Sequence, residues 1–265
     1  MSLFQNNLVA LAAQDKVCTA FGVKLVAGGE IVQIAKSAGY DSLFIDTEHT
    51  VLTIKDVGQL CITALLAGVT PFVRVPHQCG SGQIQKVLDA GAIGVIIPHI
   101  HTPEDARKVI QASKYPPMGK RSLTGMLPHY NLAAVPASQA VEQVNASGST
   151  VFIMIETADA LACVDELAAL PGCDVLMVGS NDLAAEIGTL GDWDSEKFIE
   201  ALRKVGEAAK KHGKIFGIAG LYHRNDILDR VVNEFGCRWV VGAVDASLLM
   251  KGASENATLL RSIQK

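Results

Sequence analysis

Two carboxylates stand where apolar, strand-length runs stop. Glu156 follows residues 151–155 in VFIMIET, and Asp182 lies four positions past Val178 in DVLMVGSNDL. In a parallel α/β architecture the C-terminal ends of the strands converge on one face, and ligands bind there. Two acids on neighbouring strand ends, with room for water between them, suit a hard divalent cation such as Mg²⁺ or Mn²⁺ better than Zn²⁺. A pair of unrelated loop acids satisfies the spacing equally well.

Other apolar runs end in the same way. FIDTEHT supplies Asp46, Glu48 and His49, PFVRVPH supplies Arg74 and His77, and VIIPHIH supplies His99 and His101. Ionisable groups are costly to desolvate unless they are paired or bind a ligand, so this crowding argues for an enzyme. His49 is the natural general base or acid, because imidazole titrates near neutrality; the competing reading is a surface loop histidine. Arg74 closes a buried strand, where a planar cation suits a substrate carboxylate or enolate, or else an ion pair with Asp46 or Glu48. His77, His99 and His101 lack the helical i, i+4 spacing of zinc enzymes and are read as wall residues. Asp89, in QKVLDAG, falls late in a helix, where an acid is disfavoured. Orienting His49 is one role for it, and a plain surface position is the other. PPMGKRS places Lys120 and Arg121 on a long excursion that could reach over the mouth to a second anionic group, or leave them as solvated charges. Gly179 to Asp182 fall at a strand-to-helix junction, where free backbone N–H groups can meet an anion.

The elements that must position these residues form a regular alternation. Short β-branched runs occur at residues 19–23, 42–46, 70–75, 94–98, 151–156, 174–179, 214–218 and 238–242. Between them lie amphipathic stretches such as IKDVGQLCITALLAG, several closing on Gly as helix ends do. Eight such units in one domain spanning 1–265 predict an α/β fold of the (β/α)8 TIM-barrel type. An open doubly wound sheet would want a Gly-rich phosphate loop after the first strand, and VKLVAGGE offers only a Gly pair. Residues 3–15 predict an entry helix. Residues 245–265 predict a C-terminal helix whose apolar stripe must be covered by its own barrel or, by exchange, by a neighbouring subunit. The one long break, residues 99–150, has the length of a lid or an interface element.

Composition narrows the function further. The chain has 265 residues, 49% apolar and 19% charged, with a formal net charge of −4. No basic field or run invites nucleic acid. No apolar stretch is long enough to span a membrane and no leader pattern opens the chain, so the expectation is a cytoplasmic protein. The six cysteines (Cys18, Cys61, Cys79, Cys163, Cys173, Cys237) are scattered without CxxC spacing, as reduced and mostly buried thiols are.

Taken together, FIDTEH, PFVRVP, QKVLDAGAIGVIIPHI, GKRS, IMIET and VGSNDLAAEIG resemble the class II pyruvate aldolase family over nearly the whole chain. That family includes the 4-hydroxy-2-oxoheptanedioate and 2-keto-3-deoxy-sugar-acid aldolases and macrophomate synthase. The resemblance implies a metal-dependent (β/α)8 enzyme, often a hexamer, that binds a 2-oxo acid and passes through the pyruvate enolate. It implies a divalent metal (Mg²⁺, Mn²⁺ or Co²⁺) on Glu156 and Asp182, with Arg74 against the pyruvate oxygens. His49 would be the base for the aldol proton, with Asp89 as its partner. Asp46 and Glu48 would give water binding or structural support, Gly179 and Asn181 would offer backbone amides to the substrate carboxylate, and Arg121 would touch the far end of the acceptor. No Schiff-base lysine is required, so Lys24 is read as wall. The chain departs from the family at Met154, where many members carry Gln, and at Ser180, where Pro is common.

The leading expectation is therefore a metal-dependent carbon–carbon lyase acting on 2-oxo acids, by retro-aldol cleavage, oxaloacetate decarboxylation or both. The alternatives are a macrophomate-synthase-like enolate trap, a coenzyme A thioester lyase, and a non-catalytic barrel that binds a 2-oxo acid. Self-association is expected, whereas nucleic acid and membrane partners are not.

Overall fold

The computed structural model describes residues 4–263. In it eight parallel strands close into a barrel in sequence order. They are β1 (Cys18–Val23), β2 (Ser42–Asp46), β3 (Thr70–Arg74), β4 (Gly94–Ile97), β5 (Thr150–Ile155), β6 (Val175–Gly179), β7 (Ile215–Ala219) and β8 (Cys237–Val244). The eight expected strands are all present, and no end moves by more than about two residues. The helices are α1 (Asn7–Ala12), α2 (Glu30–Ser37), α3 (Ile54–Ala67), α4 (Gly80–Asp89), α5 (Pro103–Ser113), α6 (Ala137–Gln143), α7 (Ala158–Ala162), α8 (Val164–Ala169), α9 (Ser180–Glu186), α10 (Glu196–Lys211), α11 (Asn225–Asn233) and α12 (Asp245–Ser262). Local chemistry sets their ends. Thr53 and Asp56 form a reciprocal capping box on α3, whose end Gly68 turns with φ +70°.

Period two along each strand divides the core. Leu43, Ile45, Val73, Ile153, Ile155, Leu176 and Val178 point outward and pack under the helices. Ala20, Phe44, Phe72, Phe152, Met154, Met177 and Trp239 point inward. The rings of Phe72 and Phe152 each lie against Trp239, at centroid distances of 5.9 and 4.8 Å, and the Trp239 indole donates to Ser42 Oγ at 3.0 Å. The barrel interior is thus solid below the site.

The long excursion goes to the floor, not to the mouth. After α5 has run down the outside of the barrel, the chain emerges at the end where β5 must begin, and Thr150 N donates to Ile93 O there. Tyr115, Leu127, Tyr130 and Val144 pack in one cluster with Phe4, Leu8 and the inward barrel residues. Of the two readings of PPMGKRS, reach over the mouth of its own barrel is corrected, and the solvated-charge reading holds for exposed Lys120 but not for Arg121. Arg121 is buried at the floor and donates to Asp89 Oδ1 at 2.6 Å.

His129 in this floor is 2% exposed, with its Nε2 3.2 Å from Gly148 O. Burial, reinforced by the Arg121 charge, pushes its pKa from 6.5 down to about 4. The unfolded chain therefore binds more protons than the folded one between those values, and stability falls as pH drops through that window. The loss should reach about 3 kcal/mol. Urea unfolding at pH 7 and pH 4 checks this, and His129→Leu should flatten the difference while lowering stability at pH 7.

The helix α1 lies inside the expected segment, whose first residue falls outside the described residues. The C-terminal helix forms as expected over Asp245–Ser262, with the last two residues of the sequence outside the description. Only Asp245 of this helix is buried, and Leu249, Met250, Leu259 and Leu260 are more than half exposed. Its own barrel does not cover the stripe. No helix among the described residues is long and apolar enough to cross a membrane. The six cysteines are free thiols, four of them buried.

Candidate active site

The same period two that buries Phe44 and Phe72 aims the strand ends inward. Asp46 follows Phe44 by two, Arg74 follows Phe72, Glu156 follows Met154, Gly179 follows Met177, and Lys24 follows Gly22. Arg74 places its fork on buried Asp46, with Nε to Oδ1 at 3.0 Å and Nη2 to Oδ2 at 2.8 Å. Its Nη1 lies 3.2 Å from Glu48 Oε2. The ion-pair reading of Arg74 thus holds, yet the guanidinium still lines the cavity described below. Burial by itself would raise the Asp46 carboxyl, but the Arg74 hydrogen bonds and charge outweigh it and hold the group below its usual range. The backbone N–H of Glu48 also donates to Asp46 Oδ1, at 3.0 Å. Asp46 therefore organises the loop after β2.

Glu156 is 1% exposed. Its Oε1 accepts from His99 N at 2.7 Å, and its Oε2 has no hydrogen-bond partner among the described residues. His99 turns with φ +52°, a conformation uncommon for a side-chain-bearing residue, and that turn points its N–H at the carboxylate. Burial first, and then the nearby Asp182 charge, raise the Glu156 pKa. A Cβ at residue 179 would lie 2.5 Å from Glu156 Oε2 and 2.9 Å from the Met154 methyl group, so a larger residue there would displace the Glu156 carboxylate. Asp182 stands in the first turn of α9 and is exposed. One orphaned buried oxygen beside an exposed carboxylate fits a hard divalent cation completed by water and substrate oxygens. Among the described residues no cluster of three or more His, Cys, Asp or Glu forms a ready-made cage.

His49 is more than half exposed, and its Nε2 lies 3.5 Å from Glu48 Oε2. Glu48, not Asp89, is its acidic neighbour within the chain. Asp89 ends α4, which starts at the mouth and finishes at the floor, so the expected Asp89–His49 pair and the expected contact of Arg121 with the acceptor do not form within one chain. The two find each other instead. His99 stands between the acids, its Nε2 3.7 Å from Glu48 Oε1 and its Nδ1 3.8 Å from Glu156 Oε1, and the His77 ring lies against it. His101 turns away to Asp159 at 3.0 Å.

A cavity of about 330 Å³ joins Lys24, His49, Arg74, Asn181, Asp182 and Tyr222 above a base of Phe44, Met154 and Met177. A cleft of about 400 Å³ beside it, lined by parts of α4 and α5, takes in His77 and His99 but neither Asp182 nor Arg74. Lys24, read from the sequence as wall, does line the cavity, on the inward parity of Ala20 and Gly22. Two residues of the site carried no weight in the sequence reading. Asp245 was legible as an acid opening a helix. It accepts from Lys24 N, Leu25 N and Val26 N at 3.0, 2.9 and 2.8 Å, tying the loop after β1 to the end of β8. Tyr222 reaches the cavity from the loop after β7, and no pattern in AGLYHR announces it.

Comparison with known proteins agrees with this geometry. The profile of the HpcH/HpaI aldolase/citrate lyase family matches residues 26–249. A 4-hydroxy-4-methyl-2-oxoglutarate aldolase of Hapsidospora irregularis is 42% identical, covering 100% of this chain and 98% of the relative. A second protein of that name, from Chaetomium globosum, is 39% identical over 98% of this chain and 97% of its own length. Among solved structures, an HpcH/HpaI aldolase from Desulfitobacterium hafniense superposes with a TM-score of 0.86 at 25% identity, covering 97% of each chain.

Proposed function

This chain belongs to the HpcH/HpaI aldolase/citrate lyase family, and on that premise we propose that it is a metal-dependent lyase cleaving 4-hydroxy-2-oxo acids to pyruvate by retro-aldol reaction. The observation that carries the metal assignment is the buried Oε2 of Glu156, without a hydrogen-bond partner among the described residues, beside Asp182. Glu156 and Asp182 would hold a divalent cation, of which Mg²⁺, Mn²⁺ and Co²⁺ are the candidates. When bound, it supplies Lewis acidity toward the keto and carboxylate oxygens of a 2-oxo acid.

The chain's own residues perform the remaining work. Arg74, fixed by Asp46 and Glu48, presents a cation that needs no reorganisation when negative charge develops on the keto oxygen. Gly179 and Asn181 line the wall on the substrate's carboxylate side. His49 takes the proton of the C4 hydroxyl as the C3–C4 bond breaks. The bonding pair passes to the C2–C3 unit as enolate, C4 leaves as a carbonyl, and protonation at C3 completes pyruvate. Glu48, 3.5 Å from His49 Nε2, stabilises the imidazolium so formed. Decarboxylation of oxaloacetate needs the same enolate but no hydroxyl proton.

That difference supplies the test. Metal-stripped protein should release no pyruvate from oxaloacetate or from a 4-hydroxy-2-oxo acid, and Mg²⁺, Mn²⁺ or Co²⁺ should restore both. His49→Ala should keep the decarboxylation within roughly threefold while slowing aldol cleavage by about 10²- to 10⁴-fold, the range of general acid–base catalysis. Equal inertness with and without metal would sink the reading. The uncovered apolar face of α12 supports self-association, hexameric in the proposed assembly. A monomer in light scattering would remove that assignment.

A further inference from the structure

The roles above leave the acceptor end of the substrate without a partner. In a closed ring of eight strands β1 stands across the axis from β5. The cavity runs from Asn181 and Asp182, after β6, to Lys24 and His49, after β1 and β2, so a substrate held at Glu156 and Asp182 has room to extend its far end toward those two residues. Two permanent cations line this cavity, Arg74 and Lys24. Arg74 is held by Asp46 and Glu48 and is already assigned to the keto-oxygen end of the substrate. Lys24 is differently placed: its ammonium has three N–H donors, and the structure gives it one carboxylate oxygen, Asp46 Oδ2 at 3.2 Å, already shared with Arg74. Its side chain is 31% exposed, on the cavity wall.

The lysine is also held in place. Asp245, 1% exposed, receives the N–H groups of residues 24, 25 and 26 and so fixes the backbone from which Lys24 extends. Asp46 takes both its side-chain hydrogen bonds from Arg74, and Lys24 adds only a longer ion pair to one of its oxygens, so the ammonium keeps donors to spare while it helps to balance the two acids. A preorganised ammonium with spare donors, facing the acceptor end of a 2-oxo-acid site, has the chemistry of a carboxylate receptor.

We propose that Lys24 is the specificity-determining residue of the acceptor end: its ammonium binds the distal carboxylate of a 4-hydroxy-2-oxo dicarboxylate, and the preference for such a substrate over a methyl-ended one rests on this side chain. This rests on the retro-aldol reading of the same site. 4-Hydroxy-4-methyl-2-oxoglutarate is a compound of that class, and 4-hydroxy-2-oxovalerate ends in a methyl group instead.

The ratio of kcat/KM for these two compounds, measured with Mg²⁺ on wild type, Lys24→Met, Lys24→Gln and Lys24→Arg, is the test. Wild type should favour the dicarboxylate. Both neutral variants should lower the ratio by roughly 10- to 100-fold, mainly through KM of the dicarboxylate, as loss of a charged hydrogen bond does. Lys24→Arg should keep most of the preference. A ratio unchanged in Lys24→Met and Lys24→Gln, or a wild type that prefers the methyl-ended compound, overturns the proposal. Deuterium uptake from solvent into the methyl group of pyruvate reports the enolate alone. Uptake by wild type with an unchanged ratio sinks the Lys24 assignment only, whereas no uptake sinks the retro-aldol reading and the Lys24 assignment with it.

Discussion

Glu156→Gln should reduce pyruvate release by about 10³-fold or more, since the cation lost with it supplies several kcal/mol of charge stabilisation. The substitution keeps shape and keeps an acceptor for His99 N–H, so the metal-free protein should lose no more than about 1 kcal/mol of stability. It also removes a carboxylate whose ionised form burial disfavours. Calorimetric titration with Mn²⁺ separates the two effects: binding should vanish while the unfolding transition stays cooperative. The proton competes with the cation for the same oxygens. Because the folded pKa of Glu156 is raised above 4.5, wild-type metal affinity should weaken as pH falls toward that raised value. Unchanged Mn²⁺ binding in Glu156→Gln would mean that the ion sits elsewhere.

Arg74→Met should damage both activity and stability. Asp46 is fully buried and would lose its bidentate partner, which costs about 3–5 kcal/mol when one member of a buried pair is removed. Lys24, 3.2 Å away, offsets part of that loss. Arg74→Lys should not restore function, because an ammonium cannot reproduce the two parallel bonds of the fork. The double variant Asp46→Leu with Arg74→Met should recover much of the stability in urea unfolding and none of the turnover, which separates the structural from the substrate role. The pH dependence has a definite sign. The Asp46 carboxyl is held below its usual 3.8, so the pair's contribution is complete above that value and lost as pH falls through the folded one. In Arg74→Met this acid-side loss should shrink.

Much of this site was legible because a strand carries its own ruler. Phe44–Asp46, Phe72–Arg74 and Met154–Glu156 each put an apolar residue and an ionisable one on the same face two positions apart, and parallel strands end together. The same ruler pointed to Lys24. It says nothing of loops, where Tyr222 enters the cavity and where His99 turns its N–H onto Glu156. Nor does it tell which end of a helix a residue occupies relative to a residue on another unit. The resemblance paired Asp89 with His49, and an acid late in a helix asks for a partner, but α4 carries Asp89 away from the mouth of its own barrel.

The excursion from residue 99 to 150 carried two expectations, a lid or an interface element, and its packing at the floor removes the lid for a similar reason. Length alone predicts that such a segment does something, not which face it covers. Its apolar residues, Tyr115, Leu127, Tyr130 and Val144, find their partners at the floor, in Phe4 and Leu8 from the start of the chain. The exposed stripe of α12 completes the pattern: periodicity predicts an apolar face, and only packing shows that the barrel leaves it uncovered.

The sequence by itself determined the eight-fold alternation, the inward parity of Asp46, Arg74 and Glu156, and the oxygen-rich chemistry of the strand ends, because each is a property of spacing within one segment. Only the tertiary structure decided the partnerships, Arg74 with Asp46, Glu48 with His49, Asp89 with Arg121 and Lys24 beside Asp46, because a pairing between segments depends on where closure of the barrel brings their ends.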